Sequence, residues 1–415
     1  MTLSPTQQTA PAPRRPTIGP ALHGRRGIRP SLMQLVYILA AFGLGVLIPR
    51  ISVGDTVSAE TTTQLLLTIG GGIVAFVAVV YSLLFLVVQF GTTTFTPRLN
   101  LFRDSPIIWH SFGYYLGVLV FSFTAAFAIG DEEQTTILLP IVEVAMLLVS
   151  LGMFRVLQTS AFKSIQLAVA LDQVGLRGGQ VIDGVYPSDV AEAPKDALDL
   201  EEEPFASADV RGEVHEIRWP RRAAVLQVIN VPRLARVAEQ ADVLIELRVV
   251  TGEVIIQGDV VALVHGRAAS ALDQAVLKAL SVGMERTFEQ DPAFPLRILS
   301  DIALRALSPA VNDPATAVQA LDTMHSLLRI LVTRDLDVGR IPGSDGKVRL
   351  VIPLPGWDDY LGLAIDEVTI FGTTSPMVRT RLERMLDDLA TRAPPDRRSA
   401  VESRMQRVQA MAVSR

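Results

Sequence analysis

The run from Thr63 to Gln89, TQLLLTIGGGIVAFVAVVYSLLFLVVQ, holds no charged residue. At ~1.5 Å of rise per residue, a helix of this length crosses ~30 Å of hydrocarbon with some tilt. Three further apolar runs share the N-terminal part of the chain: Leu32 to Ile48, closed by Pro49, then about Ile107 to Ile129 and about Thr136 to Leu157. In hydrocarbon every backbone N–H and C=O must find its partner inside the segment, so only helices and closed barrels span. Runs of this length without two-residue alternation are helices. The expected fold class is therefore a membrane α-helical domain of four transmembrane helices, followed by a cytoplasmic α+β region.

Charge around the spans sets the orientation. Arg14, Arg15, Arg25, Arg26 and Arg29 precede span one, and Arg98 and Arg103 lie between spans two and three. Asp55 and Glu60 lie between spans one and two, with Arg50 at the edge, and Asp131, Glu132 and Glu133 between spans three and four. Arg155 lies in the last turn of span four and Lys163 follows it. Basic and acidic connections alternate, which by the positive-inside rule places both termini on the cytoplasmic side of the plasma membrane.

Composition narrows the chemistry. Hydrophobic residues make up 49% of the 415, an average over two unlike halves, and the net charge of -5 is too mild to call for nucleic acid. With no cysteine there is no disulfide framework, thiolate metal site or Cys nucleophile. The five histidines show no metal-ligand spacing, and no cofactor is expected.

The organisation reads as follows. Residues 1–30 are a disordered basic tail, 31–160 the four-helix membrane domain, and 161–180 a stem helix continuing span four. The stem's periodicity runs from Phe162 to Val174, with Gly175 and Gly178-Gly179 expected to end it. Residues 181–211 are an acidic, Pro/Ala-rich linker around Glu201-Glu202-Glu203. Residues 212–266 carry short β-branched runs separated by Gly turns, the pattern of a small β-barrel or sandwich-like module. They look like a barrel-sandwich hybrid of the biotinyl/lipoyl type without its modifiable Lys, so the likeness implies shape alone. Residues 267–393 form a mainly helical module, with an amphipathic helix over Ala268 to Gly283, and 394–415 a frayed C-terminal tail.

Several features could carry function. Gly70-Gly71-Gly72 in span two suits close helix packing, a hinge or a pore-lining bend. Glu143 is the one acidic residue deep in a span, and must face a partner, water or another subunit. It either lines an ion pathway or stands as a protonated carboxyl hydrogen-bonded in the bundle. Ser122 and Thr124 suit helix–helix hydrogen bonds. Between spans two and three, Phe95, Leu99 and Phe102 have the spacing of a short interfacial helix. In the helical module, Arg297, Asp301 and Arg305 recur four apart on one helix. Asn312-Asp313-Pro314 is a helix start, with Asp313 as N-cap and Pro314 in the first turn. Ser308 lies at the junction of the two helices. These residues form an ion-pair ladder or subunit interface, an anion-gripping ligand pocket, or, least supported, a hydrolytic site. No serine elbow, phosphate loop or metal triad accompanies them.

The chain resembles a bacterial family of predicted membrane proteins of unknown function, over most of residues 32 to 391. Two passages carry the likeness: Phe95-Thr96-Pro97-Arg98 after span two, and the long motif from Gln290-Asp291 through Asp301-Ile302-Ala303, Arg305-Ala306-Leu307-Ser308-Pro309 and Asn312-Asp313-Pro314 to Thr316-Ala317. The sequence departs from the family after span four, where its His pair is absent and Thr159-Ser160 lie near the expected place, and in the β module, where its Pro-Gly is Thr251-Gly252. The resemblance implies the architecture and no activity. The reading that follows is a homo-oligomeric channel or transport-like protein in the lipid bilayer, with a cytoplasmic regulatory or assembly domain and an unknown ligand. The alternative is a membrane-anchored sensor or scaffold whose cytoplasmic domain binds a ligand or protein partner.

Overall fold

The computed structural model describes residues 30–51, 55–94, 106–164, 166–186, 214–267 and 270–413. The basic tail, the Phe95–Arg98 loop with its interfacial helix, and the acidic linker from residue 187 onward lie outside them. The described residues divide into two compact units, one up to Gln173 and one from Val174 onward.

Four helices of the first unit are long and apolar enough to cross a membrane: α1 (Pro30–Leu47), α2 (Ala59–Thr94), α3 (Pro106–Ile129) and α4 (Leu138–Ser164). Helix α3 is the centre of the bundle, with 44% of its apolar window buried against 17% in each of the others. It runs parallel to α1, and glycine sets their spacing. A Cβ at Gly113 would stand 2.8 Å from the Tyr37 ring, and one at Gly117 would stand 3.4 Å from the Tyr37 carbonyl oxygen. Gly113 and Gly117 form a G-x-x-x-G pair, the spacing that lets two helix backbones approach in lipid. From the α1 side, a Cβ at Gly45 would meet Thr124 Cβ at 2.9 Å. Two short strands, β1 (Thr56–Ser58) and β2 (Gln134–Thr136), pair antiparallel and hold the α1–α2 and α3–α4 connections at one end of the bundle.

Helix α5 (Leu167–Val185) corrects the expected stem. The break falls after Ser164, and the helix runs on through Gly175, Gly178 and Gly179. These glycines admit neighbours instead of ending the helix. A Cβ at Gly175 would stand 3.0 Å from Thr323 Cγ2, and one at Gly178 would stand 3.0 Å from the Leu327 methyls and from Pro295 Cβ.

The C-terminal unit holds two sheets. One has the order β3 (Val214–Arg218), β7 (Val260–His265), β5 (Leu244–Leu247), β10 (Val348–Val351) and β9 (Arg340–Pro342). The other is β6 (Val254–Ile255), β4 (Ala224–Ile229) and β8 (Leu280–Gly283). Among the described residues no closed barrel forms. β10, from far along the chain, pairs in parallel with β5 through Leu350 and Ile245, so β5 is flanked on both sides. Helices α6 (Val231–Gln240) and α7 (Ser270–Ala279) cover this core, whose fully buried members include Leu226, Leu234, Ile245, Val276 and Leu350. The helix expected to reach Gly283 stops at Ala279. Ser, Val and Gly are weak helix formers, and residues 280–283 pair with β4 instead.

The rest is helical: α8 (Ala293–Ala306), α9 (Pro314–Leu331), α10 (Trp357–Leu361), a π-helical turn (Gly362–Asp366), α11 (Glu367–Gly372), α12 (Pro376–Arg392) and α13 (Pro395–Val413). Helix α13 replaces the expected frayed end. Val401, Arg404 and Val408, one face of the helix, are buried. Arg404 Nη1 donates to Asp358 Oδ1 at 2.7 Å, and its Nε and Nη2 reach Asp366 at 2.9 and 3.2 Å. A buried guanidinium held bidentately by one carboxylate and by a second acid anchors the helix that sequence polarity alone leaves loose.

Helices α9 and α12 are joined by His325. Its Nδ1 lies 2.9 Å from Arg381 Nη2, and its Nε2 lies 2.9 Å from Asp388 Oδ2. Arginine only donates, so Nδ1 is the acceptor and the ring is the neutral Nε2–H tautomer. Burial, opposed by Asp388 and reinforced by Arg381, holds the His325 pKa below the ordinary imidazole value.

Two predictions follow from this packing. Gly178→Val overpacks α5 against α9 and costs about 1–3 kcal/mol, while Gly184→Ala, with open space at its Cβ, gains about 0.5–1 kcal/mol. Thermal melts of the detergent-solubilised chain separate the two. For His325 the folded pKa is depressed, so its contribution is complete above the unfolded value of ~6.5 and falls away as pH drops below it. Melting temperature should fall on acidification through that range, and His325→Gln should flatten the dependence.

Candidate functional site

The residues singled out in the spans separate into two faces. Gly70 is buried, and a Cβ there would meet Ser122 Cβ at 2.8 Å, so this glycine is what brings α2 against α3. Gly71 and Gly72 are exposed, with nothing within 4 Å of either Cβ position. Ser122 Oγ lies 2.6 Å from Glu143 Oε1 on α4 and 2.8 Å from the Val118 carbonyl oxygen one turn back on α3. Ser122 and Glu143 are both 0% exposed. Gly70, Ser122 and Glu143 therefore meet at one point where three spans converge. Glu143 Oε2 has no hydrogen-bond partner among the described residues.

A polar side of the bundle continues from this point. Tyr114 donates to the Met146 carbonyl, one turn along α4 from Glu143, at 3.2 Å. Tyr37 of α1 stands edge-on to Tyr114, ring centroids 6.3 Å apart, and its hydroxyl lies 3.2 Å from His110 Nδ1. Sequence reasoning passed over these aromatics. Tyr37, Tyr114 and His110 are scattered along two spans, and only the parallel packing of α1 on α3 aligns them.

The C-terminal motif residues occupy α8, α9 and the turn between them. Arg297 Nε pairs with Asp301 Oδ1 at 3.1 Å, and Arg297 Nη1 lies 3.8 Å from Glu367 Oε2 on α11. Arg305 is exposed near the end of α8. Ser308 Oγ donates to the Arg305 carbonyl at 2.7 Å, and Asn312 N donates to the Ser308 carbonyl at 2.9 Å. Asn312 takes φ +47, a left-handed conformation that asparagine accepts better than most residues. Asp313 caps α9: its Oδ1 accepts from Thr316 N at 3.1 Å, and Oδ2 from Thr316 Oγ1 at 2.7 Å. These bonds hold the Asp313 carboxyl below its ordinary pKa. Ser308, Asn312 and Asp313 thus shape a turn, with Pro314 in the first turn of the next helix.

A buried joint that sequence reasoning did not assemble lies beside α8. Asp291, 2% exposed, accepts from Arg286 Nε at 2.7 Å and Nη2 at 2.9 Å, and from Phe294 N at 3.1 Å. Burial raises its pKa above the ordinary carboxylate value, with Arg286 pulling the other way. Thr251 Oγ1 donates to the Gln290 carbonyl at 2.7 Å, and the Gln290 amide pairs with the backbone of Ile229. Gly252 has φ +89, and a Cβ there would collide with Asp291 Oδ2. Thr251-Gly252 and Gln290-Asp291 are therefore two halves of one contact. The available signal was a turn glycine beside a hydroxyl, but nothing local says what the turn must face. Nearby in the same unit, the Tyr186 and Tyr360 hydroxyls lie 2.8 Å apart, both side chains fully buried. Among the described residues no group of three His, Cys, Asp or Glu is placed to hold a metal. Asp313→Ala should cost about 0.5–2 kcal/mol, measured by chemical or thermal denaturation, and Asp313→Asn or Asp313→Ser should recover most of it.

Comparison with known proteins agrees with this architecture. Residues 25–388 match the family model described as Predicted membrane protein (DUF2254). The uncharacterized proteins Mb1321c of Mycobacterium bovis and Rv1290c of Mycobacterium tuberculosis are each 27% identical to the chain over 421 residues, covering 92% of it and 77% of the relative. No solved structure matches. The match runs through the four apolar helices and the α8–α9 motif alike, and the chain belongs to the DUF2254 family of predicted membrane proteins.

Proposed function

We propose that the protein is an oligomeric channel or transport-like protein of the plasma membrane, with both termini and the C-terminal unit on the cytoplasmic side. The observation that carries this reading is the outward face of α2. Gln64, Thr68, Gly71, Ala75, Ala78 and Ser82 are all exposed and recur at alternating intervals of four and three residues. That is the repeat of two helices packed in a left-handed coil. From Thr68 onward its residues are the small and hydroxyl-bearing types that join spans in lipid, and Gln64 carries an amide able to hydrogen-bond across helices. The same helix's inward glycine, Gly70, is already used against α3. One bundle is filled by side chains such as Leu66, Tyr115 and Phe121, so a path belongs between copies or at the buried Glu143. Pairing of β1 with β2 supports the orientation, because it gathers Asp55 and the 131–133 acids at one end.

A second reading, a membrane-anchored sensor or scaffold, is favoured by one feature of the C-terminal unit. Ile370, Phe371 and Met377 are 55%, 60% and 55% exposed, next to Gly372, which packs against Leu307 at the end of the motif helix. Exposed apolar side chains grouped beside a structured turn suit a protein partner.

The chain has no native cysteine, so single-cysteine variants test the α2 face directly. Gly71→Cys and Ala75→Cys should cross-link between copies on oxidation in native membranes, and Phe127→Cys, 85% exposed on α3, should not. Purified protein should be oligomeric and carry ions into liposomes. A strict monomer with no cross-link at either position removes the oligomer, and absent flux with intact cross-links leaves the scaffold reading.

A further inference from the structure

We infer that the ligand of the buried Glu143 site is a proton, held as a neutral carboxyl and exchanged through the polar side of the bundle lined by Tyr114, Tyr37 and His110. The inference rests on the transport reading above for its role, but its chemistry follows from counting protons at one serine.

Ser122 Oγ has one proton and two oxygen neighbours, Glu143 Oε1 at 2.6 Å and the Val118 carbonyl at 2.8 Å. The carbonyl can only accept. If Glu143 is ionised, it too can only accept, so a single proton serves two contacts and one of them is empty. Oε2, buried and without a partner, would then also carry part of a full negative charge in the hydrocarbon layer. If Glu143 is protonated on Oε1, both contacts are filled: Glu143 O–H donates to Ser122 Oγ, and Ser122 O–H donates to Val118 O. Oε2 becomes an unpaired carbonyl oxygen, which costs far less than an unpaired carboxylate oxygen. The neutral form alone completes the geometry.

Among the described residues no cation stands in for the proton: Arg155, the nearest on α4, lies ~18 Å along the helix axis and donates to Gln158 Oε1. Between Glu60 and Thr94, α2 has no charged residue, and α1 offers only Tyr37 as a titratable group. Helix α3 offers His110, Tyr114 and Tyr115, the last donating to the Ser150 carbonyl at 3.3 Å. The 3-10 turn after α1 (Ile48–Arg50) carries an exposed Arg50, and the connection leading into β2 carries exposed Glu132 and Glu133. The proton comes from bulk water and returns to it. Tyr114, whose hydroxyl sits one turn from Glu143 along α4, then Tyr37 and His110, mark the polar way to the end of the bundle where α3 begins.

The test is infrared spectroscopy of the full chain in lipid. At neutral pH a protonated-carboxyl C=O band should appear at the high-frequency end of its range, because Oε2 accepts no hydrogen bond. It should shift on labelling with carboxyl-13C glutamate and vanish in Glu143→Gln. Labelling identifies a glutamic acid even where the variant folds poorly. Transfer to D2O should downshift the band, more slowly in Tyr114→Phe and Tyr37→Phe than in the native protein. Absence of the band, or its persistence in a folded Glu143→Gln, overturns the inference, and exchange unchanged in both tyrosine variants overturns the route. Proton flux under an imposed pH gradient is read separately. A Glu143 band without flux refutes transport and leaves the bound proton standing, while flux without the band refutes the proton site and leaves transport standing.

Discussion

Close approach of α3 to its neighbours is the contact on which the membrane unit depends. Lipid tails are as apolar as the helices, so burial of apolar surface gives spans little reason to associate, and backbone proximity and polar contacts must do it. Gly113 and Gly117 let α3 meet the Tyr37 turn of α1, and Gly70 lets α2 meet α3 at Ser122. Ser122, which Gly70 faces from α2, also reaches Glu143 on α4. The same device recurs in α5, where Gly175 and Gly178 admit Thr323, Leu327 and Pro295.

The C-terminal unit is held together by long-range pairing. β10 lies beside β5 although about a hundred residues separate them, and Arg404 reaches Asp358 and Asp366 from the far end of the chain. Gln290 bonds the backbone of Ile229 at the end of β4, and Asp291 seats the turn at Gly252. The strand-rich and helix-rich halves of this unit therefore share a sheet and a buried polar joint. Its buried charges each have a partner of opposite sign, the condition under which such groups are tolerated in a core.

Ser308, Asn312 and Asp313 illustrate how a dense polar motif can be structural. The serine back-bonds to α8, the asparagine turns the chain, and the aspartate caps α9. Glu143 differs from these: its carboxyl is buried, with Oε1 2.6 Å from Ser122 Oγ and Oε2 without a hydrogen-bond partner among the described residues.

By itself the sequence determined the four long apolar helices, because runs this long and apolar, without two-residue alternation, form helices in hydrocarbon. It also determined the short strands from Ala224 to Val264, the Asp313 cap and the Pro314 helix start, all of which are local in pattern. It marked Thr63 to Gln89 as a span but could not say that Gly70 faces inward while Gly71 and Gly72 face outward. Tertiary structure alone decided that, along with the strand over residues 280–283, the continuation of α5 through its glycines and the helix after Pro395. In each case the deciding partner lies far away in the chain: β4 for residues 280–283, α8 and α9 for α5, Asp358 and Asp366 for Arg404. Local pattern sets what a segment can form, and only the surface it meets selects among the forms it allows.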